Sequence, residues 1–199
     1  MNVFVPDPAT LTPGARRILD AASELFYQRG ITSVGVDLVA EHSGVTKRTL
    51  YNSFGSKDAL VSAYLLDRDR RWRRLVEHAV AAPGASARER VLAPFDALCE
   101  WTTGNPRGCG FVNALAELPD PAHPGHRIAA ESKRWLRSLF ERLATDAGLD
   151  APADLAMRLM YLHEGALALQ TALPECDHAA IARRAARDLV EPPEPTGGP

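Results

Sequence analysis

Residues 46–52 hold five side chains that suit one kind of chemistry. Lys47, Arg48, Tyr51 and Asn52 recur at i, i+1, i+4 and i+5, and Thr46 stands just before them. On a helix this spacing gathers them on one side. Lysine and arginine neutralise phosphates, and arginine can also fork onto guanine. The Tyr51 and Thr46 hydroxyls can donate to phosphate oxygens. Asn52 can pair with adenine or hold a phosphate. Lys57 falls at the start of the next helical segment, where backbone N–H groups already favour an anion. Together these groups suit duplex DNA. By spacing alone, an ordinary helical hairpin with a polar outer face fits the same residues.

The elements around this strip have the plan of a helix-turn-helix. The spacing predicts a short helix over Val36–Ser43, broken by Gly44, and a second over Lys47–Phe54, broken by Gly55. Val36, Val39 and Ala40 give the first an apolar side. Val45, Leu50 and Phe54 do the same for the second. A preceding helix opens at Thr12-Pro13, ends at Gly30 and offers Leu25 and Phe26 to a shared three-helix core. Six further helices are expected: Lys57 to about Ala81, Ser86 to about Thr103, Phe111–Leu118, about His126–Ala147, about Ala153–Leu173, and Ala179–Val190. The fold class is therefore all-α. An N-terminal three-helix bundle with a helix-turn-helix precedes a larger C-terminal helical bundle, about nine helices in all. The expected division is 1–55 for DNA binding, 56–190 for ligand binding and dimerisation, and 191–199 as a disordered proline- and glycine-rich tail.

Composition narrows the function classes. The chain has 199 residues, 46% hydrophobic and 24% charged, enough to bury a core without metal or disulfide. Its net charge of −2 makes charge distribution more informative than the sum. A second basic run, Arg68–Arg74, reads as a solvated helix face with pairs such as Asp67–Arg71. Cys99, Cys109 and Cys176 are far apart, form no CxxC pair, and read as free, buried thiols of a reducing cytosol. No secretory signal or membrane span is read, so a cytoplasmic location is expected. His123 and His126 read as surface histidines, and no metal or cofactor is expected. His163-Glu164, Glu117 and Cys109 are possible acid–base or nucleophilic groups. The chain lacks a phosphate loop, GxSxG or HExxH, and an enzyme is not expected.

The run Ser43-Gly-Val-Thr-Lys-Arg-Thr-Leu-Tyr-Asn-Ser-Phe-Gly-Ser-Lys-Asp-Ala-Leu60 resembles the DNA-binding signature of the TetR family of repressors. Arg17-Ile-Leu-Asp-Ala-Ala-Ser-Glu-Leu-Phe26, followed by Gly30, resembles that family's first helix. The resemblance covers about residues 13 to 62. It implies that Thr46, Lys47 and Arg48 begin a recognition helix in the major groove. It also implies that Tyr51 and Asn52 touch backbone or a neighbouring base, and that Lys57 grips a phosphate. The sequence departs from the pattern at Gly35, where the family usually has a serine or threonine.

The resemblance further implies a homodimer formed through the last two long helices, a palindromic operator and release by a small-molecule effector. The stripes Leu155, Leu159, Leu162, Ala166, Leu169 and Ile181, Ala185, Leu189 fit a helix–helix interface, between subunits or within one. Phe95, Leu98, Cys99, Trp101, Cys109, Phe111, Asn113, Trp135, Tyr161 and His163 are candidate lining for an apolar or aromatic effector, although each taken singly fits plain core better. The competing function is a helical ligand-binding or protein-interaction module without specific DNA binding.

Overall fold

The computed structural model describes residues 5–191. Within them are nine α-helices and no strand. They are α1 (Pro13–Arg29), α2 (Val36–Ser43), α3 (Lys47–Phe54), α4 (Lys57–Val80), α5 (Ala87–Thr103), α6 (Gly110–Glu117), α7 (Pro124–Asp146), α8 (Pro152–Ala172) and α9 (His178–Val190). A 3-10 turn, Pro8–Thr10, precedes them. The residues beyond Glu191, expected to be a disordered tail, lie outside the described set.

Side-chain caps fix most helix starts by satisfying N–H groups that lack a partner within the helix. Thr46 Oγ1 accepts from the Thr49 N–H at 3.2 Å, and Ser56 Oγ accepts from Ala59 at 3.1 Å. Ser86 and Glu89 form a reciprocal capping box. Asp177 Oδ1 accepts from Ala180 at 3.0 Å. Gly35 caps α2 with no side-chain bond.

Packing divides the chain into two compact units. The first comprises residues 5–71 together with Gly110–Ser132. Thus the first half of α4, α6 and the start of α7 pack with α1–α3. Ile18, Leu19, Leu25, Phe26, Val34, Val39, Leu50 and Phe54 form its interior. Phe26 meets Tyr64 edge-on, with centroids 5.8 Å apart. The turn between α2 and α3 needs Gly44, whose φ of 64° is left-handed. Its N–H bonds Glu41 O, and the Val45 N–H bonds Ala40 O, each at 3.1 Å, the reciprocal closure of a Schellman turn.

The run around Arg68 is not a solvated face. Asp67, Arg68 and Asp69 are all buried. Asp67 pairs with Arg71, as expected, and also with Arg16 of α1, both at 3.0 Å. The Arg68 guanidinium lies 4.4 Å from the Tyr27 ring centre. A long arginine stem buries well against apolar neighbours when its head finds a ring or a carboxylate. His123 is not a surface histidine either. Its side chain is only 8% exposed, and Nδ1 accepts from the Gly125 N–H. His126 Nε2 donates to Leu118 O at 2.8 Å.

The second unit comprises Trp72–Cys109 and residues 133–191. Leu92, Phe95, Leu98, Leu136, Phe140, Ala156 and Leu159 fill it. Leu155, Leu159 and Ala166 are buried inside the subunit, which removes them from any interface. The inward side of α9 is Ala179, Ala182, Ala186 and Val190, one position off the stripe expected from the sequence.

One ionisable side chain sits deep in this apolar interior. His163 is 2% exposed and lies among the Trp72 and Phe95 rings, at 5.4 and 6.1 Å between centroids. Its Nδ1 is 3.2 Å from Glu164 Oε1, and its Nε2 has no hydrogen-bond partner. Burial pushes the imidazole below its ordinary value, against the pull of Glu164. Burial alone would raise Glu164, but His163 and Lys133 together hold it down at about 2.

Two outcomes follow. Gly44→Ala meets no atom within 4 Å, so its cost is left-handed backbone strain alone, about 1–2 kcal/mol in urea or thermal unfolding. An unchanged midpoint would show that the turn does not need glycine. The second concerns acid. His163 is neutral in the fold, so stability is complete above its unfolded value of 6.5 and falls as pH drops below it. The slope from this group is at most about 1.4 kcal/mol per pH unit. Glu164 adds a separate loss from 4.5 down toward about 2. Unfolding measured between about pH 7.5 and 5.5 should show a shallower slope in His163→Gln; an undiminished slope would assign the protons elsewhere.

Candidate nucleic-acid interface

Helix α3 has eight residues, too few to be stable alone. Leu50 and Phe54 are its buried anchors, and burying them contributes roughly 1.5–3 kcal/mol each. Their direction decides what faces out. Thr46, Lys47, Arg48, Tyr51 and Asn52 are all exposed, as the spacing predicted, and Tyr51 keeps 43% of its surface.

Local bonds shape that strip. Besides capping α3, Thr46 Oγ1 lies 2.9 Å from Thr49 Oγ1. Lys47 Nζ is 2.7 Å from Asp37 Oδ1 on α2, and this bond and charge raise the lysine above its ordinary value. Both partners are exposed, so a phosphate can compete for the ammonium. Lys57 is placed differently from a free phosphate grip. Its Nζ donates to Ile31 O at 2.6 Å in the loop before α2. An ammonium has three N–H donors, so this bond leaves capacity for an anion.

Glu117, read in the sequence only as a possible acid–base group, holds the same loop. Its Oε2 accepts from the Thr32 N–H at 2.7 Å, and a side chain at Gly30 would stand 3.0 Å from both carboxylate oxygens. Sequence reasoning missed this role, because the contact joins residues 85 positions apart.

The candidate effector residues divide. Phe95, Leu98, Trp101, Cys109, Trp135 and His163 belong to the second unit. Phe95 and Leu98 are fully buried. Trp101 meets Trp72 edge-on at 5.6 Å, and the Arg73 guanidinium lies 4.8 Å from the Trp135 ring centre. Cys109 Sγ is 3.3 Å from Lys133 Nζ, which is 2.8 Å from both oxygens of Glu164. Phe111 and Asn113 stand on α6, which packs in the first unit. Tyr161 is 71% exposed and lines no interior. Trp72 and Lys133 were not foreseen. Trp72 was hidden in the basic run, and Lys133 lies among the many charges of α7. The cysteines are free, as expected, but Cys176 is exposed rather than buried, and Cys99 is half-buried. No helix among the described residues is long and apolar enough to cross a membrane, and none of their histidine, cysteine and carboxylate side chains cluster as a metal site would require.

Comparison with known proteins bears on this geometry. Residues 18–64 match the family model described as "Bacterial regulatory proteins, tetR family". The chain is 37% identical over 150 residues to the HTH-type transcriptional regulator Rv1255c of Mycobacterium tuberculosis, covering 74% of this chain and 70% of that protein. It is 27% identical over 177 residues to the HTH-type transcriptional regulator YjdC of Escherichia coli K12, covering 87% and 91%. The crystal structure of SCO4454, a TetR-family transcriptional regulator from Streptomyces coelicolor, superposes with a TM-score of 0.78 at 33% identity, covering 89% of this chain and 93% of that one. These relatives are regulators rather than enzymes. The chain belongs to the TetR family and is a DNA-binding transcriptional regulator.

Proposed function

We propose that the protein is a homodimeric repressor that binds a palindromic operator and is released by a small molecule. The observation that carries this reading is the exposed polar strip of α3, turned outward by the burial of Leu50 and Phe54. In this reading Arg48 reads a base edge and Lys47 neutralises a phosphate after leaving Asp37. Thr46, Tyr51, Asn52 and Lys57 fix the register on the backbone. One such helix reads few base pairs, so two copies related by a two-fold axis are needed to define an operator.

The surface that would join the copies lies on α8 and α9. Tyr161, Leu169, Leu173 and Ile181 are exposed at 45% or more, and Gly165 on the same side of α8 allows close approach. Ala185 and Leu189 continue this surface on α9. This support is narrower than the sequence stripes suggested, since the buried leucines of α8 serve the subunit's own core. The effector would be a mainly apolar molecule received beside His163, Trp72 and Trp101, with Phe95, Leu98, Cys109 and Trp135 around them.

Two measurements test the proposal. In mobility-shift titrations on operator fragments selected from genomic DNA, Arg48→Ala should cost about 1–3 kcal/mol and change base preference. Lys47→Ala should weaken binding evenly across sequences and reduce the salt slope by about one. Unchanged preference in the first variant would remove Arg48 from base reading. In sedimentation, the wild-type chain should be a dimer and Ile181→Glu with Leu169→Glu a folded monomer. That monomer should lose at least about tenfold in operator affinity, because it forfeits the second half-site. A double variant that stays dimeric would move the interface elsewhere.

A further inference from the structure

We propose that the effector is a neutral aromatic compound bearing a hydroxyl group, a phenol or an aryl alcohol, and that this hydroxyl donates to His163 Nε2. The proposal rests on the effector reading above and names the ligand's chemistry. It starts from an unmet polar atom. His163 is 2% exposed, yet its Nε2 finds no hydrogen-bond partner among the described residues. A buried polar atom left unpaired is costly, so native interiors supply a partner from protein, water or ligand. The surroundings select among these. The Trp72 and Phe95 rings flank the imidazole, and Trp101 meets Trp72 edge-on. A lone water needs two to four polar partners, which these rings do not supply. An aromatic ligand meets them with its faces and edges. Trp101 is only partly buried, which opens one edge of the cluster to solvent.

The proton on the imidazole decides which group the ligand must bring. His163 Nδ1 lies 3.2 Å from Glu164 Oε1. An ionised carboxylate only accepts, and His163 and Lys133 hold Glu164 ionised against its burial. The ring proton therefore sits on Nδ1. Burial keeps the imidazole neutral, so Nε2 carries a lone pair and accepts. Gln170, two turns further along the same side of α8, repeats the pattern. Its Nε2 donates to Thr102 O at 3.2 Å, and its buried Oε1 finds no partner among the described residues. Both open atoms are acceptors, so the missing partner is a donor.

Charge narrows the donor. A carboxylate ligand has no proton to give at neutral pH and would stand close to Glu164. An ammonium could donate, but Lys133 already pairs with Glu164 at 2.8 Å, and a second buried cation would lack a counter-charge. A hydroxyl donates without charge. Its bond to Nε2 exists only while α8 presents His163 to the ring cluster, so the ligand favours that arrangement of α8 over any other.

The test uses the full chain at neutral pH. Calorimetric titration compares 4-propylphenol with 4-propylanisole, which lacks the proton, and with 4-propylbenzoate and 4-propylbenzylamine, which are charged. The phenol should bind at least about tenfold tighter than each of the other three. His163→Leu should abolish the preference for the phenol over the anisole. His163→Gln can donate to Glu164 and still accept through its own oxygen; it guards against a folding artefact and should keep most of the preference. Side-chain nitrogen-15 spectra of the unliganded protein should show the His163 proton on Nδ1, and the Nε2 signal should move when the phenol is added. No binding of the phenol, equal affinity for the anisole, preference for a charged compound, a proton on Nε2, or an undiminished preference in folded His163→Leu would each overturn the proposal. Saturating phenol should also lower operator affinity at least about tenfold, the scale of an effector coupling. Selective binding at His163 without that drop would sink release by an effector and leave the site standing. A dimer that binds its operator yet ignores the phenol would sink the site alone.

Discussion

The recognition surface depends on the burial of two side chains. An eight-residue helix fixes few backbone hydrogen bonds and has little stability of its own. What holds α3 is Leu50 and Phe54 in the core of the first unit, with Thr46 capping one end and Gly55 closing the other. Once those two point inward, the helical period leaves Lys47, Arg48, Tyr51 and Asn52 no direction but outward. The Gly44 turn sets the angle between α2 and α3, so a polar strip of five residues inherits its geometry from three apolar or glycine positions. Lys57 and Glu117 extend the same constraint. One donates to Ile31 O and the other accepts from the Thr32 N–H, which ties down the loop that feeds α2.

Sequence and structure agree best where short-range physics decides. Proline, glycine and hydroxyl caps act within a few residues, and the nine helices begin and end within about two positions of where those signals put them. The outward strip of α3 was legible for the same reason, since a period of 3.6 and two anchors suffice. The stripes on α8 and α9 were legible only as apolar. Leu159 and Leu169 look alike in sequence, yet one is fully buried and the other 45% exposed. Which of them faces the subunit's own core depends on where α5 lies, and no local pattern records that.

Buried charge was the least legible feature. Asp67, Arg68 and Asp69 sit in a run whose spacing suits a solvated helix, and i,i+4 pairing is common on such surfaces. Arg16, 51 residues earlier in the chain, makes burial of Asp67 tolerable, and the Tyr27 ring does the same for Arg68. A charge is buried only with a partner, so recognising the burial requires knowing the partner first. Half-buried Lys133 and Glu164 follow the same logic on α7 and α8, as does His163, whose ring neighbours Trp72 and Phe95 come from α4 and α5.

Helix α8 carries both halves of the proposed response. His163 faces the interior with half-buried Glu164 beside it, while Tyr161 and Leu169 face solvent, on a rigid element that rises about 1.5 Å per residue. A group wedged against its inner side cannot move those side chains without also moving the outer ones, because packed interiors yield little before they rearrange. A ligand that binds equally well before and after such a rearrangement shifts nothing, however tightly it binds. The proposed effector discriminates between the two states only through contacts that it makes in one packing of α8 and loses in the other.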